Sequence, residues 1–283
     1  MNREITEKII IMLIRAVAYL IVILVGYILY DIIRKGAPNL SWEFISGFPE
    51  QSGAKGGILP AIVGTLCLVG GTIAIALPLG VGSAIYLSEY AKPNRFTEII
   101  RLAIVTLAGV PSIVFGLFGL GLFVIFLGFG ASILSGSLTL ACMVLPTIIV
   151  ASEEALRAVP RGFRAASLAL GATKWETIRT NVLPYSLSGM ITGSILAIGR
   201  AAGETAPILL TVAAFFLPTL PKSIYDQVMA LPYHLYILAT QHPAADQVRP
   251  MQYGTALVLL IIVLGLSLGA IIIRIYYRRK YQW

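Results

Sequence analysis

The sequence predicts an all-α membrane protein with six transmembrane helices, and three observations support this fold class. Hydrophobic residues make up 58% of the 283 residues and charged residues only 12%, whereas soluble domains average ~45–50% and ~25%. The apolar residues are also collected into long runs rather than into short alternating segments. This composition excludes a soluble enzyme, a disordered chain, a collagen-like chain and a secreted disulfide scaffold.

Six apolar segments are long enough to cross a bilayer. A helix rises about 1.5 Å per residue, so roughly 20 apolar residues cross ~30 Å of hydrocarbon. We expect kinks or breaks at four prolines inside these segments, Pro78, Pro111, Pro146 and Pro207. The whole chain, residues 1–283, is therefore predicted to be one transmembrane domain. Its predicted spans cover residues 12–33, 58–87, 99–126, 133–154, 186–215 and 253–276.

The placement of Lys and Arg predicts that both termini are cytoplasmic. Of the 21 basic residues, 15 lie in the terminal segments and in the second and fourth loops, and 5 lie in the remaining loops. Cytoplasmic loops of membrane proteins carry an excess of Lys and Arg. The loop at residues 152–184 is thus predicted to be cytoplasmic and the loop at 216–252 external. Because topology accounts for the net charge of +8, no nucleic-acid partner is predicted.

The predicted cytoplasmic loop contains the pattern of two short amphipathic helices joined at a glycine. Gly171 ends the first helix, because glycine adopts the left-handed conformation of a helix end without strain. Thr173 and Glu176 have the spacing of a capping box that begins the second helix, and Pro184 marks where the next span begins. The apolar positions are Phe163, Ala166, Ser167 and Leu170 in the first helix and Trp175, Ile178 and Val182 in the second.

Spacing alone leaves two interpretations of these helices open. Basic amphipathic helices lie on lipid headgroups or dock into a groove on a partner protein. The stretch resembles the cytoplasmic loop of ABC importer permeases, whose EAA motif reads E-A-A-x-x-x-G and is followed after nine residues by I-x-L-P. The residues in register are Ala165, Ala166, Ser167, Gly171, Leu183 and Pro184.

Two positions depart from that family pattern, since Ala165 replaces the usual Glu and Asn181 replaces the usual Ile. The resemblance implies that this loop is the coupling helix, which inserts into a cleft on an ATPase. The sequence has no G-x-x-x-x-G-K-[ST] motif to cradle ATP phosphates. The ATPase is therefore expected to be a separate chain, which binds ATP and Mg in place of this one.

Four further segments resemble the phosphate-specific transport permeases of the PstA type. They are GGILPAIVGTL (56–66), PLGVGSAIYLSEYA (78–91), GVPSIVFGLFGLGLF (109–123) and GRAAGETAP (199–207). The resemblance implies a type I ABC importer permease fold in a bacterial or archaeal cell membrane. It also implies three protein partners, namely a second permease of the PstC type, a dimeric ATPase and an external phosphate-binding protein, with phosphate as the substrate and no cofactor in this chain.

Two charged residues, Arg200 and Glu204, lie one turn apart inside the fifth predicted span. Each charge at the centre of a membrane helix costs about 2.5–3.5 kcal/mol, so such residues seldom face lipid. They are predicted to line the substrate pathway or form its gate. The alternative is an ion pair that only stabilises the helix bundle.

Four glycines on the same span form two small-x-x-x-small spacings, which allow helix backbones to approach closely. They predict close packing, and the spacing leaves open whether the partner helix belongs to this chain or to another subunit. These residues are Gly189, Gly193, Gly199 and Gly203.

No metal site is predicted. The two histidines, His234 and His242, lie in the predicted external loop without nearby Cys or carboxylate partners. Residues 224–241 alternate apolar and polar side chains, which predicts an interfacial helix against membrane lipid.

Two other classes of protein were weighed against a phosphate permease. A secondary transporter would need no ATPase, and the paired amphipathic helices disfavour it. An intramembrane enzyme would need a nucleophile and base, or metal ligands, within the spans, and the spans supply neither. The oxyanion itself follows from the resemblance alone, so molybdate, sulfate and tungstate remain alternative substrates.

Overall fold

A computed structural model describes residues 3–53, 55–243 and 247–280, and these residues form a helical bundle with a two-stranded hairpin. The helices are α1 (Arg3–Gly36), α2 (Trp42–Ser46), α3 (Leu59–Ile85), α4 (Arg95–Ala108), α5 (Ser112–Gly119), α6 (Ile133–Ala158), α7 (Arg161–Ala169), α8 (Lys174–Thr177), α9 (Leu183–Gly203), α10 (Ala206–Thr211), α11 (Leu231–Thr240) and α12 (Arg249–Lys280). Wider π-helical segments extend three of them, at Tyr86–Tyr90, Leu120–Phe126 and Ile178–Val182. The strands are β1 (Pro49–Glu50) and β2 (Lys55–Gly56), which pair antiparallel.

Within the described residues, five continuous helical segments are long and apolar enough to cross a membrane, and a bent helix pair makes a sixth candidate. The predicted all-α, multi-span fold class is therefore confirmed. The five continuous segments are Glu7–Asn39, Leu59–Tyr90, Ile133–Ala158, Lys174–Gly203 and Arg249–Lys280. Which ends face the cytoplasm stays a prediction from the charge distribution.

The third predicted span, residues 99–126, contains the break that was expected at Pro111. It is built from α4 and α5, which are bent by 104° at a short break. Gly109 ends α4, and Pro111 adopts an extended conformation before α5 begins. Since a proline disfavours helical geometry in the residue before it, the chain changes direction here.

The fifth predicted span, residues 186–215, forms a shorter continuous helix than expected. The helix α9 ends at Gly203, Glu204 is extended, and α10 ends at Thr211. Pro207 cannot donate a hydrogen bond to the carbonyl of Gly203, and its ring would clash with that carbonyl in a continuous helix. Val212 and Ala214 instead form backbone hydrogen bonds with Val228.

The four spanning prolines thus divide into two kinds. The helices α3 and α6 continue through Pro78 and Pro146, whereas breaks occur next to Pro111 and Pro207. A glycine stands two residues before Pro111 and four before Pro207, and glycine costs a helix ~1 kcal/mol relative to alanine. A preceding glycine thus accompanies both breaks, whereas Gly80 follows Pro78 and α3 continues.

The core forms where α6 packs between α3 and α9. A Cβ on Gly80 of α3 would lie 2.6 Å from the Cγ2 atom of Ile148 on α6, so these two helices approach as closely as a missing side chain allows. The central cluster of buried residues draws on α3, α5, α6, α9 and α10. Smaller clusters close the bundle at the end near α11 and at the end near α7.

The helix α1 lies outside this core. It packs along α12, where a Cβ on Gly36 would overlap the carbonyl oxygen of Tyr253. Its apolar side chains between Ile9 and Tyr30 are mostly exposed. A surface of this kind requires lipid or another membrane chain around it.

The segment between α10 and α12 is not the interfacial helix predicted over residues 224–241. Only residues 231–240 are helical, and this helix, α11, is anchored in the core by Leu231, His234 and Leu238. Asp226 organises the preceding turn by accepting hydrogen bonds from the backbone N–H groups of Lys222 and Ser223. The turn directs residues 228–231 into the core. The alternation of polar and apolar residues in the sequence does not reveal this change of direction.

Candidate functional site

The helix α9 has an inner face of small residues that packs within this chain. A Cβ on Gly189 would lie 2.6 Å from the Cβ of Ala155 on α6, and a Cβ on Gly193 would overlap Ala151 on the same helix. For these two glycines the bundle interpretation is therefore correct. Gly199 instead faces α12, where the Oγ of Ser267 is 3.9 Å from its ideal Cβ, and Gly203 has open space around it.

A second side of α9, next to the packed one, is partly open and carries Arg200; we term it the open face. Leu196, one turn before Arg200, is 64% exposed, and Gly203, almost one turn after it, is also exposed. Because residues three or four apart share one side of a helix, these positions form a stripe. Arg200 follows Gly193 by two helical turns and has nearly the same direction on the helix, so it stands at the edge of the packed face.

The predicted pair of charged residues is brought together, but only loosely. The Nε of Arg200 donates to Oε1 of Glu204 at 3.3 Å, and the two side chains are 37% and 17% exposed. Within the described parts of the chain, the two terminal nitrogens of the guanidinium make no hydrogen bond. Their N–H groups form a planar fork that matches the oxygens of an oxyanion. Arg200 thus retains donors for a ligand that approaches from the open face of α9.

Glu204 points toward the bundle rather than away from it. It lines a cavity of about 10 Å³ together with Thr65 and Leu68 of α3, Leu140 of α6 and Pro232 of α11. Glu204 occupies the break between α9 and α10. Movement of any of these helices would therefore change the surroundings of the carboxylate.

Two cavities behind α9 are too small for an oxyanion. Each has a volume of about 10 Å³, which is room for one water at most. Neither has Arg200 in its lining, so the approach to Arg200 that the structure leaves open is along the open face of α9.

The loop after α6 contains the predicted glycine turn and capping box. Gly171 has a φ of +86°, in the left-handed region that favours glycine. The side chain of Thr173 accepts a hydrogen bond from the backbone of Glu176 at 3.3 Å, and the Glu176 carboxylate accepts one from the backbone of Thr173 at 2.7 Å. The loop is shorter than the predicted 152–184, because α6 continues to Ala158.

The predicted apolar stripe of the first loop helix is only partly correct. Phe163 packs its ring against Tyr185 at 5.0 Å between centroids, and Ser167 is buried, where its hydroxyl accepts a hydrogen bond from Thr177 at 3.0 Å. Ala166 is exposed and Leu170 is 90% exposed. The helix is only nine residues long, and it meets the bundle through its first turns while its C-terminal turn projects outward.

The second loop helix is continuous with the fifth span rather than separate from it. The π-helical segment after α8 joins it to α9, and the N–H of Leu183 bonds to the carbonyl of Ile178. Such a widened turn accommodates an extra residue directly before Pro184, whose ring clashes with the carbonyl four residues earlier in regular α-helical geometry. Trp175, predicted on the apolar side of this helix, is 52% exposed.

Three exposed apolar side chains form what we term the coupling surface, consisting of Leu168, Leu170 and Trp175. Their exposed fractions are 49%, 90% and 52%. Ala165, the position at which the EAA pattern has Glu, is exposed on the same helix. Large exposed apolar side chains such as these are often sites of contact with protein or lipid.

Sequence reasoning missed the ion pairs that hold this end of the bundle together. Arg164 of α7 bonds to Glu89 in the segment after α3. Glu153 of α6 accepts from both Arg101 of α4 and Arg157. Single acidic residues at the ends of apolar runs were the only sign of these ion pairs in the sequence. Their partners lie 75 and 52 residues away along the chain, and such distant pairs cannot be inferred from spacing.

His234 is a buried titratable side chain of α11. It is 3% exposed, and among the described residues its Nε2 has no hydrogen-bond partner. Its ring lies against Gly53, since a Cβ there would come within 3.2 Å of the histidine Cε1. Burial disfavours the charged imidazolium and lowers the pKa of His234 to about 4. The described residues contain no cluster of three or more potential metal ligands.

Acidification is expected to destabilise the protein through His234. In the unfolded chain this histidine binds a proton below its ordinary pKa of 6.5, whereas in the folded chain it does so only below about pH 4. The free energy of unfolding therefore falls as the pH falls from 6.5 to 4. The full loss is on the order of 3 kcal/mol and is complete below pH 4. Thermal unfolding in detergent at pH 7.5 and pH 4.5 measures it. His234→Gln should reduce the difference in Tm between these pH values. An unchanged difference in that variant would contradict the assignment to His234. His242→Gln is the control and should keep the difference of the wild type.

Comparison with known proteins identifies the family. Residues 76–281 match the sequence profile of the binding-protein-dependent transport system inner membrane component. The chain belongs to this family. Its members are membrane subunits of transport systems that act with a separate binding protein, as the family description states. The coupling surface and the open face of α9 are therefore features of a transport subunit.

Relatives of this permease are similar over most of its length. It is 37% identical over 282 residues to the probable ABC transporter permease protein YqgI of Bacillus subtilis (strain 168), covering 95% of each chain. It is 38% identical to the phosphate transport system permease protein PstA 1 of Mycobacterium tuberculosis (strain CDC 1551 / Oshkosh), covering 82% of this chain and 74% of that one. It is 33% identical to PstA of Haemophilus influenzae, with 84% and 83% covered.

Solved structures show the same fold at low sequence identity. A chain of a bacterial ABC transporter that imports the polysaccharide alginate superposes with a TM-score of 0.67 at 12% identity, covering 96% of both chains. A chain of the inward-facing methionine ABC transporter MetNI gives a TM-score of 0.59 at 17% identity, covering 78% of this permease and 94% of that chain. The type I ABC importer permease fold is thereby confirmed.

Proposed function

We propose that this permease is the membrane-spanning subunit of an ATP-driven importer of inorganic phosphate. The observation that carries the proposal is its similarity, over most of the chain, to phosphate permeases of several bacteria at 33–38% identity. The exposed guanidinium of Arg200 supports it chemically. An oxyanion that leaves water needs compensating positive charge and N–H donors, and both are present on the open face of α9.

The phosphate path lies between this chain and a second, homologous permease of the PstC type. Support comes from two observations on α9, namely the partial exposure of Arg200 and the small volume of the cavities behind it. A path between two subunits also explains why Leu196 and Gly203 remain uncovered in the single chain. Glu204 holds Arg200 while the path is closed, and its release of Arg200 allows the anion to bind.

ATP hydrolysis takes place on a partner ATPase dimer that docks on the coupling surface and binds ATP and Mg. Leu170 projects from the loop at 90% exposure beside Trp175, which fits insertion into a cleft better than flat contact with headgroups. In this arrangement both termini are cytoplasmic, and an external phosphate-binding protein delivers substrate at the α11 end. The membrane is the cell membrane of a bacterium or archaeon.

Other oxyanions are the nearest alternative substrates. Molybdate, sulfate and tungstate are tetrahedral, and the single fork of Arg200 supplies no contact that separates them from phosphate. A secondary transporter is the second alternative, but it leaves the coupling surface without a partner.

The test is transport by the purified assembly. The permease is reconstituted in proteoliposomes with a partner permease and an ATPase, with the binding protein on the outer side. We expect uptake of radioactive phosphate that requires internal ATP and the binding protein. Excess unlabelled phosphate should compete, and sulfate, molybdate and tungstate should not. Uptake driven by an ion gradient without the ATPase would contradict the proposal, and competition by another oxyanion would reassign the substrate.

A further inference from the structure

The loop helix α7 is tied to two spans by one side chain, Arg164. Its guanidinium donates twice to the carboxylate of Glu89, at 2.6 and 3.1 Å. It also donates to the carbonyl oxygens of Leu156 and Val159, each at 2.8 Å. Glu89 follows α3, and the two carbonyls end α6, so Arg164 joins α7 to the ends of both core helices.

The surroundings make this ion pair stronger than one at a surface. The side chains of Arg164 and Glu89 are only 21% and 8% exposed. Two parallel hydrogen bonds between a guanidinium and a carboxylate fix orientation as well as distance, and low exposure weakens screening by water. The pair therefore resists small displacements of α7 relative to the end of α3.

The helix α3 connects this pair to the candidate site at the other end of the bundle. With its π-helical extension it forms one continuous segment from Leu59 to Tyr90, about 48 Å long at 1.5 Å per residue. Glu89 lies at one end. At the other, Thr65 and Leu68 line the cavity that also contains Glu204, and the Thr65 hydroxyl accepts a hydrogen bond from the backbone of Leu231 in α11 at 2.9 Å.

We propose that Glu89 and Arg164 form the link through which movement of α7 displaces α3 and thereby alters the surroundings of Glu204. The inference rests on the proposed function, because it assumes that a partner ATPase moves α7. Both are positioning residues, since neither contacts the substrate. Other contacts of the loop, such as Phe163 with Tyr185 and Ser167 with Thr177, attach α7 to the segment that leads into α9. Phe163 also packs against the cluster that contains Ala84 of α3, and Lys174 of α8 lies 4.8 Å from the centre of the Tyr90 ring. Neither contact fixes orientation as the paired hydrogen bonds of Arg164 and Glu89 do.

The chain offers a matched control in Glu153. Like Glu89, it is a poorly exposed carboxylate at this end of the bundle, with 11% side-chain exposure, and it is held by guanidinium groups. Its partners are Arg101 of α4 and Arg157 of α6 itself, so it makes no bond to α7. Loss of either carboxylate should cost similar local stability, and only loss of Glu89 should affect coupling.

The experiment measures phosphate molecules imported per ATP hydrolysed in the reconstituted complex. Glu89→Gln should lower this ratio at least ~5-fold, the lower end of typical coupling factors, with ATPase activity and complex yield retained. Glu153→Gln should leave the ratio unchanged. Arg164→Lys should lower it as Glu89→Gln does, and the double variant should be no worse than the more impaired single variant, since both remove one link.

Three results would overturn the inference, and each differs from failure of the proposed function. An unchanged ratio in Glu89→Gln would remove the link, and an equal fall in Glu89→Gln and Glu153→Gln would make the pair merely structural. Multiplicative losses in the double variant would mean that the two residues act separately. Absence of ATP-dependent phosphate uptake by the wild type would instead contradict the function. If Glu89→Gln fails to assemble, Glu89→Asp carries the same comparison, because it keeps the charge and shortens the reach.

Discussion

Arg200→Gln is expected to abolish phosphate uptake while the complex still assembles and hydrolyses ATP at its basal rate. Glutamine keeps some hydrogen bonding but loses the positive charge. Each hydrogen bond to a charged group contributes ~1.5–3 kcal/mol, so losing even one lowers transport at least ~10-fold. The weak contact with Glu204 at 3.3 Å contributes little to folding, and the open stripe of α9 tolerates the change. Uptake per purified complex measures the effect.

Two further variants separate a pathway residue from a structural one. Arg200→Lys should restore part of the uptake, because the charge remains and the planar fork is lost. Arg274→Gln is the control, since Arg274 also belongs to a long apolar helix and donates to Thr192 of α9 at 3.3 Å; its uptake should stay near that of the wild type. A lower yield of Arg200→Gln complex, with normal transport by whatever assembles, would show that the ion pair only stabilises the bundle.

Gly171→Val is expected to prevent docking of the ATPase. The backbone at Gly171 has a φ of +86°, and a β-branched residue in this conformation costs roughly 1–3 kcal/mol. Nothing lies within 4 Å of the ideal Cβ position, so the penalty is one of backbone strain and not of collision. The strain rotates the outer turn of α7, which carries Leu168 and Leu170 of the coupling surface. Co-purification of the ATPase with tagged permease measures docking.

Gly171→Asn is the matched control for this prediction. Asparagine is larger than glycine but adopts the left-handed conformation at little cost, so docking and transport should be close to those of the wild type. Loss of docking in both variants would mean that side-chain bulk, and not backbone strain, disturbs the contact. Full docking and transport by Gly171→Val would contradict the role of the turn.

Local chemistry accounts for the parts of the coupling loop that sequence predicted correctly. The left-handed turn at Gly171 and the capping box of Thr173 and Glu176 involve residues no more than three apart, so their backbone preferences are visible in the sequence. The apolar stripe of α7 was less well predicted. Spacing identifies the positions that share a helix face, but only packing decides that Phe163 and Ser167 face the bundle while Leu170 projects outward at 90% exposure.

The breaks near Pro111 and Pro207 illustrate a similar limit within the spans. The four spanning prolines were each expected to kink or break a helix, and two of them do not interrupt theirs. A glycine before the proline accompanies both breaks, but Gly80 lies just as close to Pro78 without interrupting α3. The angle of 104° between α4 and α5 depends on what each helix packs against, since α4 contacts α6 and α5 also contacts α10.

The amino-acid sequence by itself determined the class of protein, the positions of the long spans, the turn chemistry of the loop and the presence of a charged pair in α9. These follow from hydrophobic transfer energies and from backbone preferences that act over a few residues. Only the tertiary structure decided that Gly189 and Gly193 pack against α6, that Arg200 is partly exposed, that α11 is buried, and that Glu89 meets Arg164. Those outcomes depend on which helices become neighbours, and contacts between residues far apart in the chain arise from the packing of the whole bundle.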